Sequence, residues 1–129
     1  MFVRVAALVL TVVAVAACGG DGGGGCVFFG GSYNGSVSDN VFGGGTISAS
    51  ILQDGCGLSG SAEICFQQGC DSTQIAGSGD GRSFRLTLFQ PGVACQVRAN
   101  GTLSDNTVSG SYARQNCNTG GGGTFVASR

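Results

Sequence analysis

From Gly31 to the end of the chain, apolar and polar residues alternate in short runs. Clusters of Gly, Asp and Asn interrupt these runs at about the 8–12-residue spacing of a β-sandwich or barrel. A period of two belongs to a strand with one face buried, because successive side chains point to opposite sides. The runs predict about eight strands, over 31–38, 44–53, 57–67, 72–78, 82–89, 93–104, 107–115 and 123–128. Between them stand Ser38-Asp39-Asn40, Asp54-Gly55, Asp80-Gly81, Pro91-Gly92 and Ser104-Asp105-Asn106. Asn, Asp and Gly tolerate the positive φ of tight hairpins, and Pro presets a turn. No segment in this region has a capped helical period. The expected fold class is therefore all-β.

Alternation also assigns the faces. It turns Ile47, Ala49, Ile51, Leu58, Ala62, Ile64 and Phe66 inward. Phe84, Leu86 and Leu88 follow, then Val97, Ala99, Leu103, Val108, Tyr112, Phe125 and Ala127. Gly35, Gly60, Gly101 and Gly110 fall on inward positions within these strands. Strand glycines mark sharp bends at barrel corners, so a closed barrel is expected over a flat sandwich. Every connection is short, which makes an antiparallel up-and-down meander of about eight strands the simplest topology.

Cys18 aside, six cysteines remain: Cys26, Cys56, Cys65, Cys70, Cys95 and Cys117. An even number in a small exported domain reads as a disulfide framework. In a meander, Cys26 and Cys56 share one barrel end and the other four share the opposite end. That leaves Cys26–Cys56 plus three ways to join the rest, of which Cys65–Cys70 with Cys95–Cys117 is favoured. The second pair lies one residue off the register of the hairpin around Asp105-Asn106, so it requires a bulge or a longer loop. An all-Cys zinc site is the alternative. The chain has no His and no CxxC pair, so no metal is expected.

The N-terminus carries a different signal. Met1-Phe2-Val3-Arg4 is short and positive, Val5 to Val15 is apolar apart from Thr11, and Val15-Ala16-Ala17-Cys18 follows. This stretch resembles the signal and lipobox of bacterial lipoproteins. An ordinary secretory signal with an A-x-A site is its nearest rival, and the apolar run is short for a membrane span. The resemblance implies removal of residues 1–17, lipidation of Cys18, a Gly-rich tether over 18–25 and a domain over 26–129. It also implies a cell-envelope address. With Gly19 after the cysteine, that is the outer membrane of a Gram-negative host, and otherwise the outer face of the plasma membrane.

The Gly-Ser-Tyr openings, the Leu58-Ser59-Gly60-Ser61 run, the Gly101 to Tyr112 hairpin and the final Gly123-Thr124-Phe125 strand resemble small bacterial lipoproteins with lipocalin-like or avidin-like barrels. Avidin-type ligand sites depend on tryptophan, and this chain has none, so biotin is not implied.

Composition narrows the chemistry. Without His there is no Ser–His–Asp or Cys–His nucleophile. The single Glu, Glu63, is predicted outward, and Asp39, Asp54, Asp80 and Asp105 read as turn formers. Gly77-Ser78-Gly79-Asp80-Gly81 lacks the Lys of a phosphate loop. A formal net charge of −1 with no Lys gives no cationic footprint for nucleic acid. An enzyme is not expected, nor a cofactor.

Arg114 stands out, because alternation with Tyr112 turns it inward near the Cys-rich end. Arg114 and Tyr112 are therefore candidate ligand contacts; the rival placement has Arg114 past the rim and solvated. Two functions remain. One is a non-catalytic, lipid-anchored structural or small-ligand-binding barrel, whose partners are the membrane and a small apolar ligand. The other is a disulfide-braced inhibitor or adhesin that meets a protein through the 116–123 loop and the Phe28-Phe29 pair, with a filled core.

Overall fold

The computed structural model describes residues 25–129. The signal segment, Cys18 and all of the tether but Gly25 lie outside the described residues. The alternating runs form eight strands: β1 (Gly31–Asp39), β2 (Gly43–Asp54), β3 (Gly57–Phe66), β4 (Gly69–Asp80), β5 (Ser83–Phe89), β6 (Gln96–Ser104), β7 (Thr107–Gln115) and β8 (Gly122–Ser128). Each pairs antiparallel with the next, and β8 closes on β1 through pairs such as Val37 with Phe125. The fold is a closed up-and-down barrel.

The turns set the register. Gly55, Gly81 and Asp105 adopt positive φ at two-residue hairpins, the conformation that favours these residue types. Most strand ends lie within one residue of the expected bounds, and the starts of two strands depart by three. β4 begins at Gly69 rather than 72, because Gln67-Gln68 makes a tight turn with none of the usual turn residues. β6 begins at Gln96 rather than 93, because Pro91-Gly92 opens a wider loop that runs to Cys95.

The expected inward residues line the interior, joined by Tyr33, Val37 and Ile75. Ser and Thr dominate the outer face, and Arg85 and Arg98 are exposed there. A transmembrane barrel has the opposite arrangement, an apolar band outside and a polar lumen.

Three disulfides join Cys26 to Cys56, Cys65 to Cys70 and Cys95 to Cys117. Their sequence separations are 30, 5 and 22 residues. On chain-entropy grounds the two long closures each stabilise the fold by about 3.5 kcal/mol and the short one by about 2 kcal/mol. A small domain with much of its interior given to Gly and Ala gains from such bracing.

The two ends differ. One end, here the base, is crossed by residues 25–30. Val27 N donates to Gly81 O, Gly81 N donates to Gly25 O, and Gln53 Nε2 donates to Val27 O. Phe29 plugs the base: it is 3% exposed and meets Phe84 edge to face at 5.8 Å. Arg129 seals the plug by donating to the carbonyls of Phe28 and Gly30. Phe28 and Phe29 thus do not act as a pair, since Phe28 stays exposed under the Arg129 guanidinium. The other end, the mouth, carries the β1–β2, β3–β4, β5–β6 and β7–β8 connections and two of the disulfides.

Candidate functional site

The barrel interior holds a cavity of about 460 Å³. An eight-stranded barrel is just wide enough to be filled by its own side chains or to hold one small ligand. Here the side chains stop short. Ala49 on β2, Ala62 on β3 and Thr73 on β4 are register neighbours, so a wall of small residues crosses three strands. Gly60, Gly101 and Gly110 contribute no side chain at all. No large side chain of the interior is fully sealed, and Ile47, Ile64, Leu86, Val97 and Val108 are only half-buried though they point inward. The cavity is therefore closed by Phe29 at the base and approached from the mouth, where Phe42, Phe66, Gln68, Asp71 and Val93 stand.

Nearly all of this lining is aliphatic or aromatic. The polar exceptions are mostly occupied. Tyr33 donates its hydroxyl to Phe29 O and receives a bond from Arg129. Burial pushes its phenol upward, and Arg129 offsets part of that shift.

At the mouth, Asp39, Tyr112 and Arg114 form one cluster. Asp39 ends β1 on the inward parity of Tyr33 and Val37, and Tyr112 and Arg114 share the inward parity of β7. Gly123 of β8 is the register partner of both Asp39 and Tyr112. With no side chain between them, the two neighbours meet across β8. A Cβ on Gly123 would lie 2.0 Å from Ser38 O, so this close passage needs glycine.

Arg114 meets the Asp39 carboxylate with both terminal nitrogens, at 2.6 and 3.0 Å. Its Nε and Nη2 also donate to Gly120 O, and its guanidinium lies 5.0 Å above the Phe42 ring. The Tyr112 hydroxyl donates to Asp39 Oδ2. The side chains of Arg114 and Asp39 are 9% and 0% exposed. Arg114 is therefore not solvated past the rim, as one reading of the sequence had it. It is buried because Asp39, read as a turn former, supplies its counter-charge. Asp39 also does the turn-forming work, accepting from the backbone of Val41 and Phe42.

The electrostatics follow from these contacts. The Arg114 hydrogen bonds hold the Asp39 carboxyl far below the ordinary carboxylate range, aided by Tyr112 and the two turn amides and opposed by burial. Burial and then the neighbouring carboxylate push the Tyr112 phenol well above its usual value. Asp39 likewise raises Arg114. At neutral pH the cluster is an ion pair with a protonated phenol.

No family model matches this chain, and no curated protein matches it.

One further set of groups has metal-ligand chemistry. Among the described residues, Glu63, Cys65 and Cys70 converge at the mouth, but the two sulfurs are bonded to each other. A disulfide sulfur is not the thiolate that binds a metal.

Asp39 was missed as a site residue because Ser38-Asp39-Asn40 reads as a turn. The signal lay in parity, which puts opposite charges inward at the same barrel end on β1 and β7.

Proposed function

We propose that this protein is a non-catalytic, lipid-anchored envelope barrel that binds a small apolar ligand in its interior. The apolar cavity of about 460 Å³, plugged at one end and open at the other, carries the reading. Binding pockets for small molecules have this volume range and this mostly apolar lining with a few polar groups. Arg114 and Tyr112 serve the site by fixing the mouth. Most Arg114 N–H groups are engaged by Asp39 and Gly120, so the pair shapes the entrance rather than capturing an anion. A loop-presenting inhibitor calls for a filled core, so the cavity favours the ligand reading.

The anchor at Cys18 fits this arrangement. Gly25 lies at the plugged base, so the tether joins the domain at the end opposite the mouth. A Cys18→Ser chain should leave the membrane fraction of the host; continued membrane association would end the anchor assignment.

The soluble Cys18→Ser chain also permits the binding test. N-phenyl-1-naphthylamine, a neutral probe that brightens in apolar surroundings, should bind one per barrel. Ala62→Phe places a ring in the middle of the small-residue wall. It should weaken probe binding about 100-fold or more while leaving the circular dichroism of the barrel unchanged. Equal binding by this variant would place the probe elsewhere and remove the case for an interior site.

A further inference from the structure

Among the described residues, Asp71 is the one inward-facing charge of the barrel that no opposite charge answers. Its register partner on β3 is the inward Ile64, and it shares the parity of Thr73 and Ile75 below it on β4. It lines the cavity at the mouth and is exposed there, so a molecule entering the barrel passes its carboxylate. The β5–β6 loop braces this part of β4, because Gln90 Nε2 donates to Ser72 O.

The charges around the cavity set its sign. Arg114 is the cation among the lining residues, and its ion pair with Asp39 cancels it. Arg85 and Arg98 lie on the outer face, as does Glu63 opposite Ser72. Arg82 and Arg129 lie at the base. The interior and its mouth therefore carry one net negative charge, at Asp71. An anion entering the barrel would meet that charge and no free cation. A cation carried deep between the aliphatic walls would lose its water without a partner, which is costly. At Asp71 it keeps a counter-charge and water on one side. The distance sets the rest of the molecule. From Ile75 to Asp71 the strand climbs about 14 Å, or about 10 Å along the axis of a barrel whose strands tilt. An apolar body of about that length fills the interior before the mouth is reached.

Building on the interior-binding reading above, we propose that the ligand is an apolar amine, with its body in the cavity and its ammonium at the mouth beside Asp71. An ion pair open to water adds little on its own. The aliphatic walls supply most of the affinity, and Asp71 selects the sign of the head group.

Competition in the soluble Cys18→Ser chain tests this with three molecules on one frame, at neutral pH and low salt: 2-(2-naphthyl)ethylamine, 2-(2-naphthyl)ethanol and 2-naphthylacetate. Each displaces bound N-phenyl-1-naphthylamine. The amine should bind about tenfold or more tighter than the acetate, since attraction and repulsion at one exposed carboxylate are each worth up to about fivefold. Asp71→Asn should lower the amine-to-alcohol affinity ratio about fivefold while the alcohol stays within about twofold. Asp71→Lys should reverse the order of amine and acetate, and Glu63→Gln should leave it as in the parent. Raising the ionic strength from about 0.01 M to about 1 M, which shortens the screening length from about 30 Å to about 3 Å, should shrink the parent's preference. Retained probe binding in each variant reports an intact barrel. Acetate binding as tightly as amine in the parent, or an amine-to-alcohol ratio unchanged in Asp71→Asn, would overturn the role of Asp71 and leave the cavity reading standing. Failure of the probe to bind the parent chain would overturn both.

Discussion

Replacing Arg114 with Met should destabilise the barrel by about 3–5 kcal/mol, the cost of leaving one member of a buried ion pair unpaired. The Asp39 carboxylate is fully buried, and Arg114 is its only cation in the ion-pair sense among the described residues. Its remaining partners, Tyr112 and the amides of Val41 and Phe42, donate hydrogen bonds but carry no compensating charge. Met retains much of the apolar stem over Phe42, so the loss reports charge rather than packing. Adding Asp39→Asn to Arg114→Met should recover at least about 1 kcal/mol, since the neutral amide oxygen can still accept from the turn amides and needs no counter-ion. The urea midpoint and slope of each variant measure this. A loss below about 1 kcal/mol in the single variant would mean that the pair is solvated.

The same pair sets the limits in pH. The folded pKa of Asp39 is depressed, so its stabilisation is complete above the unfolded value of about 3.9 and drains away as pH falls below it toward the lower folded value. In Arg114→Met the buried carboxylate is an encumbrance that protonation relieves. The stability gap between parent and variant should therefore begin to narrow already above pH 4, as the variant's carboxyl takes up its proton, and narrow further below about 4 as the parent loses its ion pair. Tyr112 runs in the opposite sense. Its folded pKa is raised, so its contribution is present below the unfolded value of about 10 and is lost as pH climbs beyond it.

What alternation could and could not convey shows in one repeated phrase. Asn34 to Asn40 and Asn100 to Asn106 share five of seven residues, Ser-Asp-Asn included. In the second copy, Asp105 takes positive φ in an exposed two-residue hairpin at the base, as its composition suggests. In the first, Asp39 stays on the strand and turns into the mouth to meet Arg114. Local preference is the same in both, and only the partner across β8 decides between them. Inward faces, strand number and the grouping of cysteines by barrel end follow from period and connectivity, which are local or topological. The Gln67-Gln68 turn and the plug formed by Phe29 without Phe28 depend on which side chains happen to meet in space. The cavity belongs to the same class. Small inward residues are compatible with a flattened, filled barrel as well as with an open one, and the difference lies in how sharply the strands bend.

That bending rests on inward glycines, and Gly110→Ala tests it most directly. Gly110 on β7 faces Gly101 on β6 in register. A Cβ on Gly110 would lie 2.0 Å from Asn100 O and 2.7 Å from the Gly101 Cα. Both obstacles are backbone of a neighbouring strand, which cannot rotate aside as a long side chain would. Relief requires β6 and β7 to separate, and that would open ladder hydrogen bonds in a sheet that has no free edge to absorb the shift. Overpacking into side chains costs about 1–3 kcal/mol and occasionally more, and a clash with fixed backbone belongs at the upper end. At 4–8 °C per kcal/mol for a domain of this size, Gly110→Ala should lower Tm by about 15 °C or more. Gly44→Ala is the internal control. It sits in β2 with nothing within 4 Å of its would-be Cβ and no positive φ, so the same methyl should leave Tm unchanged or slightly raised. Equal effects at the two positions would mean that the loss reflects generic glycine replacement in strands. A large loss confined to Gly110 would tie barrel closure, and with it the curvature that leaves the interior open, to a pair of facing glycines.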